Sequence, residues 1–107
     1  MTKKQIKELN DIVAQVSDDK RQIAANLVEE IVFLYDTMGD LKKQIRERGA
    51  VELFEQGKQR FMRESPAMKS YTTAVQRYGA LYKQLIDLMP KTAPAPPESE
   101  LLKFIQE

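Results

Sequence analysis

The sequence predicts a mainly α fold, in which a short N-terminal helix precedes a long antiparallel helical hairpin with a small β-hairpin-like insert between its two long helices. Two runs of apolar residues at alternating three- and four-residue spacings indicate the long helices. Between them, residues 49–67 have strand-like composition and a central glycine. Two such helices joined by a compact insert most simply fold back on each other, with the first helix across one end.

The first helix is predicted from Lys3 to Val16. Thr2 and Gln5 have the spacing of a capping box, in which each side chain accepts a backbone N–H of the other residue. Its single apolar stripe comprises Ile6, Leu9, Val13 and Val16.

The second helix is predicted from Asp18 to about Arg48, with the Ser17 hydroxyl accepting a backbone N–H at its start. Its apolar residues follow a near-heptad seam of Ile23, Leu27, Ile31, Leu34, Met38, Leu41 and Ile45. The apolar surface widens beyond this seam at Val28, Val32, Phe33 and Tyr35. The helix therefore has more apolar surface than one antiparallel partner can cover.

The insert is predicted to be a short β-hairpin, with arms at 51–55 and 59–63 and a turn at 56–58 where Gly57 takes a positive φ. Before it, Gly49 is a credible C-terminal cap of the second helix. After it, Ser65-Pro66 predicts the start of the third helix, with serine as the cap and proline at the first helical position. The seam of this helix runs through Met68, Tyr71, Val75, Tyr78, Tyr82, Leu85 and Met89, and Pro90 ends it.

Three parts are predicted along the chain: a helical domain at 1–90, a proline-rich linker at 91–98 and a short amphipathic motif at 99–107. The apolar face of that motif comprises Leu101, Leu102, Phe104 and Ile105. Such a face on a tether is typical of a segment that docks in a groove of a partner. Packing on its own assembly, or a frayed end, is the alternative.

Composition excludes several kinds of chemistry. The 107 residues contain neither Cys nor His, which removes disulfides, thiolate and imidazole metal sites and the usual nucleophile–base pairs. A net charge of +1 predicts no general attraction to nucleic acid, and no apolar run approaches a membrane span. We expect a soluble, cytoplasmic protein without cofactors that is not an enzyme, since the carboxylate pairs Glu29-Glu30 and Glu52 with Glu55 belong to no catalytic motif.

Residues 48–69 resemble the centre of the small terminase subunits of tailed phages. In that family a long helix ends at a glycine, a short insert carries a second glycine, and a proline-led helix runs to a Leu-Pro segment that is similar to residues 88–91 here. The resemblance covers residues 20 to 91. It implies a homo-oligomeric ring that binds double-stranded phage DNA in the bacterial host and delivers it to the large subunit, which carries the ATPase and nuclease.

On that resemblance, two groups of residues have assigned roles. The α-helical seam at Ile23, Leu27, Ile31, Leu34 and Met38 would be buried between subunits. Phosphate contacts would come from Lys58, Arg60 and Arg63, with Glu55 and Glu64 as the acidic residues nearby, and from a second patch at Lys3, Lys4 and Lys7. The large subunit would be the partner that the C-terminal motif docks on.

Other interpretations remain open. The basic residues of the insert could be solvated around a hydrophobic cap on the helical pair, and Lys3, Lys4 and Lys7 could form a solubilising face. The alternative for the whole chain is a coiled-coil adaptor or structural protein that never contacts DNA. A helix-turn-helix is disfavoured because Asp18 and Asp19 would stand at the start of the recognition helix.

Overall fold

The computed structural model describes residues 1–90 and confirms the mainly α fold with a β-hairpin between the long helices. Helix α1 spans Lys3–Ala14, a 3₁₀ turn spans Asp18–Lys20, and helix α2 spans Arg21–Arg48. Strands β1 (Val51–Gln56) and β2 (Gln59–Glu64) form the hairpin, and helix α3 spans Pro66–Asp87. The predicted linker and the C-terminal motif with Leu101, Leu102, Phe104 and Ile105 lie outside the described residues.

Helix α1 begins with the predicted capping box. The Gln5 N–H donates to the Thr2 hydroxyl at 3.2 Å, and the Gln5 side-chain oxygen accepts the Thr2 N–H at 2.9 Å. The helix ends at Ala14 rather than at Val16, because the next backbone N–H groups bond to carbonyls only three residues back. Val16 is nevertheless buried, so the apolar stripe extends past the last helical residue.

The start of α2 differs from the prediction at Ser17. No side-chain capping bond forms there; the Ser17 hydroxyl donates instead to Asp19 Oδ1 at 2.6 Å, which lowers the pKa of that carboxyl. The residues between Ser17 and Arg21 form a 3₁₀ turn, so α2 proper begins three residues later than the sequence predicts. Arg21 closes the junction by donating to the Val16 carbonyl at 3.0 Å.

The core lies where α1, α2 and α3 meet. Its largest fully buried side chains are Tyr78, Tyr82, Leu9, Ile31, Leu85 and Val16. The Tyr78 ring lies 6.0 Å from Tyr35 on α2 and 6.2 Å from Tyr82 on α3, measured between centroids. Burial, with smaller contributions from the neighbouring Tyr82 and Tyr35, raises the pKa of Tyr78 above its usual range. The buried Gln5 side chain connects α1 to this cluster by donating to the Tyr35 hydroxyl at 3.1 Å.

Two caps place the hairpin beyond this core. Gly49 ends α2 with φ +91°, and its N–H bonds to the Ile45 carbonyl at 2.7 Å. On the return, the buried Ser65 hydroxyl accepts the Met68 N–H at 3.1 Å, with Pro66 in the first turn of α3 as predicted. Within residues 1–90, no helix combines the length and the apolarity that a membrane crossing requires.

Candidate functional site

The β-hairpin is a regular antiparallel pair with a two-residue turn. Gln56 lies opposite Gln59, and the pairing continues without a bulge to Val51 opposite Glu64. Gly57 takes φ +60°, the left-handed conformation that such a turn needs and that glycine adopts without steric cost. The predicted three-residue turn at 56–58 is therefore one residue too long.

The register divides the hairpin into two faces, because successive side chains in a strand point to opposite sides. One face carries Val51, Leu53 and Glu55 of β1 with Arg60, Met62 and Glu64 of β2. The other face carries Glu52, Phe54 and Gln56 of β1 with Gln59, Phe61 and Arg63 of β2. Arg60 and Arg63 thus lie on opposite faces and do not form the continuous basic patch that the sequence suggested.

Both arginines are paired with a glutamate directly across the hairpin. Arg60 Nε lies 3.2 Å from Glu55 Oε1. Arg63 contacts Glu52 Oε1 through Nη2 at 2.7 Å and through Nε at 2.8 Å. The guanidinium carbon of Arg63 also lies 4.4 Å from the centroid of the Phe54 ring, in a cation–π contact. Sequence reasoning counted Glu55 as a neighbour but missed Glu52.

Lys58 is the exception among the three predicted cations. It lies in the turn, is exposed, and forms no ion pair with any residue between 1 and 90. Residues 51–64 carry Lys58, Arg60 and Arg63 against Glu52, Glu55 and Glu64, so three positive charges and three negative charges cancel. The hairpin is electrically neutral as a unit.

The hairpin also exposes apolar side chains. The exposed fractions are 52% for Val51, 45% for Leu53, 49% for Phe61 and 63% for Met62. Phe54 is half-buried and packs on Phe61, with ring centroids 5.0 Å apart. A hydrophobic cap on the helical pair would have buried Leu53, Phe61 and Met62, so that interpretation does not hold for these three residues.

The second predicted patch is separate from the hairpin. Lys3, Lys4 and Lys7 are exposed on α1 and form no ion pair with a residue of the described chain. Helix α1 packs beside the middle of α2, where Gln5 contacts Tyr35. Tyr35 lies thirteen positions before Arg48, which corresponds to about 20 Å along a helix axis. One chain therefore does not combine the two patches into a single surface.

A basic cluster that sequence reasoning missed lies between them, at the C-terminal end of α2. Residues 42–48 contain four basic side chains and one glutamate. Lys43, Arg46 and Arg48 are exposed and form no ion pair within residues 1–90, whereas Lys42 lies over the Tyr71 ring at 5.8 Å. The sequence shows this cluster as a local excess of basic residues. Basic residues are also common at helix C-termini, because they interact favourably with the helix dipole, so the excess alone does not indicate a binding site.

Arg48 also borders a recess where the hairpin joins the helices. The recess has a volume of about 160 Å³ and is lined by Gln44, Arg48, Gly49, Glu52, Ser65, Pro66 and Ala67. Glu52 is shared between this recess and the Arg63 pair. The basic cluster and the hairpin base are therefore adjacent.

The predicted intersubunit seam is divided by the fold. Ile31 and Met38 are 0% and 3% exposed and belong to the core of the chain, so they present no surface to another copy. The stripe of α2 that carries these two residues faces the core of the chain itself. Ile23 is 55% exposed and Leu27 and Leu34 are half-buried, while Phe33, outside the seam, is 65% exposed.

No protein-family model, curated protein or solved structure matches the chain.

Glu52 and Glu55 point to opposite faces of β1, and each is paired with an arginine, so they do not form a carboxylate pair. Residues 1–90 contain no group of three or more acidic, His or Cys side chains arranged to hold a metal ion. The described residues expose apolar side chains and cations, which are typical of surfaces that bind macromolecules.

Proposed function

We propose that the chain is a small terminase subunit, the homo-oligomeric DNA-recognition component of a phage DNA-packaging motor. In this role it binds double-stranded viral DNA in the cytoplasm of the bacterial host and delivers it to the large ATPase and nuclease subunit; it performs no chemistry itself. The observation that carries the proposal is an apolar stripe of α2 that the chain itself does not cover, in which Ile23 is exposed and Leu27 and Leu34 are half-buried.

Ile23, Leu27 and Leu34 support self-association because they share one stripe of α2 beside the core. Phe33 adds an exposed apolar side chain on the adjoining side of the helix, about 100° around the axis from Leu34. Ile23, Leu27 and Leu34 retain the heptad spacing of a coiled-coil seam, which a second copy can complete. Ile31 and Met38 then support the interface from inside rather than forming it.

DNA contact in this proposal comes from cations that no glutamate neutralises. Lys43, Arg46 and Arg48 at the end of α2 and Lys58 in the hairpin turn meet this condition among the described residues. Arg60 and Arg63 contribute where a phosphate replaces Glu55 or Glu52 as their partner. Lys3, Lys4 and Lys7 supply a second row, and a ring repeats every cation once per subunit.

The first test is the mass of the purified assembly by native mass spectrometry. A closed assembly of many copies is expected, and a monomer at micromolar concentration would overturn the proposal. The DNA step is tested by the triple variant Lys43→Gln, Arg46→Gln, Arg48→Gln, measured against duplex DNA over a range of salt. We expect weaker binding and a salt slope lower by up to about 3, since each lost phosphate contact removes about one counterion. Lys83→Gln, an exposed cation on α3, is the control.

One observation favours the second candidate, a coiled-coil adaptor or structural protein without DNA binding. The hairpin is neutral and pairs both of its arginines internally, which is what a surface that never meets phosphate would do. This candidate predicts oligomers of small size and no salt-dependent DNA binding in either the natural chain or the triple variant.

The C-terminal motif gives a further test of the packaging role. Removal of residues 98–107, with Leu101, Leu102, Phe104 and Ile105, is expected to leave the oligomer intact and to weaken binding of the large terminase subunit. Loss of the oligomer in this truncated chain would assign the motif to self-association instead.

A further inference from the structure

The outer edge of strand β2 is open and regular. All six residues of β2 are exposed, so nothing in the described chain covers the strand. The Ser65 N–H donates to the Ala50 carbonyl at 2.8 Å, and the two-residue turn closes at Gln56 and Gln59. Because hydrogen-bonded pairs alternate along an antiparallel ladder, the backbone groups of Arg60, Met62 and Glu64 point away from β1, toward solvent.

Proteins usually protect such an edge with proline, bulges or charged side chains, and of these β2 has the charged residues Arg60, Arg63 and Glu64. Strand β2 has no proline and no lysine, and its pairing with β1 shows no bulge. Met62 at its centre is 63% exposed. A two-stranded sheet is also marginally stable by itself and gains from a further strand.

The charge pattern of β2 is complementary to itself. Met62 has Arg60 two residues before it and Glu64 two residues after it. When two copies of β2 run antiparallel with Met62 opposite Met62, Arg60 of each copy lies opposite Glu64 of the other. Phe61 of each copy then lies opposite Arg63 of the other, a pair suited to a cation–π contact. All the outward backbone groups of residues 60, 62 and 64 bond across this two-fold axis.

We propose that β2 is a self-recognition edge, through which two copies of the chain join their hairpins into one four-stranded antiparallel sheet. Glu64 has no ion-pair partner within residues 1–90, so its carboxylate is available to Arg60 of the second copy. Strand β1 does not have this property: a two-fold pairing centred on Leu53 sets Val51 against Glu55 and Glu52 against Phe54. The complementary pattern therefore selects β2, and it selects a second copy as the partner.

This contact does not depend on the proposed packaging function, because it uses the hairpin edge and not the exposed surface of α2. A two-fold contact is also isologous, so it joins chains in pairs and by itself closes no ring. Where rings form through α2, the β2 edge would pair chains of two rings or chains within a dimer. The oligomer mass and the β2 contact are thus separate measurements.

Site-specific cross-linking tests the proposal directly, since the natural chain has no cysteine. In Met62→Cys, the two sulfur atoms meet across the axis, at a strand separation that a disulfide spans. Mild oxidation of the full chain is expected to give a covalent dimer, seen on denaturing gels at twice the 12.4 kDa of the chain. Leu53→Cys, on the same face of the hairpin but on β1, is the matched control and is expected to remain monomeric on the gel.

Charge reversal in the Met62→Cys background tests the register. Glu64→Arg sets Arg60 against arginine, and Arg60→Glu sets Glu64 against glutamate, so each variant alone is expected to lose dimer yield several-fold. An equal mixture of the two restores both opposite-charge pairs and is expected to restore the yield. Glu47→Arg, the same charge change on α2, should leave the yield unchanged.

Three outcomes overturn the proposal. The first is a Met62→Cys yield no higher than that of Leu53→Cys. The second is a yield that Glu64→Arg does not reduce. The third is cross-linking only in a mixture of Leu53→Cys with Met62→Cys, which would show a head-to-tail contact between β1 of one copy and β2 of the next.

Discussion

Arg63 and Glu52 face each other across the hairpin, and two guanidinium nitrogens of Arg63 reach the same carboxylate oxygen, at 2.7 and 2.8 Å. Both side chains remain about two-fifths exposed, at 43% and 39%. In such a position the pair adds only about 0.2–1 kcal/mol to stability. In the proposed function, Glu52 would compete with a phosphate for Arg63.

Removal of this counter-charge gives the first prediction. Glu52→Gln keeps the size of the side chain and releases Arg63, so we expect tighter binding to duplex DNA and a salt slope steeper by about 1. The measurement is fluorescence anisotropy with a labelled duplex at several salt concentrations. Glu29→Gln makes the same charge change on an exposed part of α2 and serves as the control. Equal slopes in the two variants would show that Arg63 does not contact DNA.

The pairing of Arg63 with Glu52 could not be predicted because it depends on the length of one turn. Composition and glycine placement predicted the hairpin correctly, including the positive φ of Gly57. A three-residue turn at 56–58 would set Arg63 against Val51, whereas the actual two-residue turn sets it against Glu52. A shift of one residue in register exchanges every cross-strand partner. Glycine at the first central position favours the two-residue turn that forms, whereas the predicted turn placed Gly57 at the centre of three residues.

The division of the apolar residues of α2 between core and surface could not be predicted either. Heptad spacing identified the apolar residues but not which neighbour covers each one. Ile31 and Met38 belong to the chain's own core, while Ile23 lies at the exposed edge of the same stripe. Only the three-dimensional packing divides a stripe this wide into a buried part and an exposed part.

That division predicts that substitution of a buried residue of α2 lowers stability, whereas substitution of an exposed one weakens assembly. Ile31→Ala leaves a cavity in the core, and we expect it to lower the free energy of unfolding by about 2–5 kcal/mol. Phe33→Ala removes a side chain that is 65% exposed, so the isolated chain should lose little stability. The proposed oligomer should then need a higher protein concentration to form. Urea unfolding measures the first effect and sedimentation velocity over a dilution series measures the second. A Phe33→Ala chain that assembles normally would exclude Phe33 from the interface.

The hairpin turn gives a prediction about backbone strain. An added Cβ at Gly57 meets no atom within 4 Å, so any cost of Gly57→Ala comes from φ +60° alone. We expect about 1–2 kcal/mol of local destabilisation, and less for Gly57→Asn, because asparagine tolerates this conformation. Amide hydrogen exchange in residues 51–64 reports this local change even where global unfolding does not. Gly39→Ala, in open space on α2, should instead stabilise the helix by about 0.5–1 kcal/mol.

The start of α3 depends on one hydroxyl. Ser65 is buried and accepts the Met68 N–H, so Ser65→Ala leaves that donor without its partner. We expect a loss of about 0.5–2 kcal/mol in the free energy of unfolding, measured in urea. Ser70→Ala, at an exposed position inside the same helix, should be neutral or slightly stabilising. Similar values for the two variants would show that the cap contributes nothing.

Tyr78 predicts how stability responds to alkali. Burial raises its pKa in the folded chain, so the unfolded chain, with an ordinary tyrosine pKa of about 10, loses this proton first as the pH rises. Ionisation of Tyr78 therefore does not change the free energy of unfolding below about pH 10, and it lowers that free energy as the pH rises above this value. Thermal unfolding followed by circular dichroism from about pH 8 to pH 11 should show a falling midpoint that is less steep in Tyr78→Phe. Tyr71→Phe, a half-buried tyrosine on the same helix, is the control. If both variants keep the full slope of the natural chain, ionisation of Tyr78 does not limit its alkaline stability.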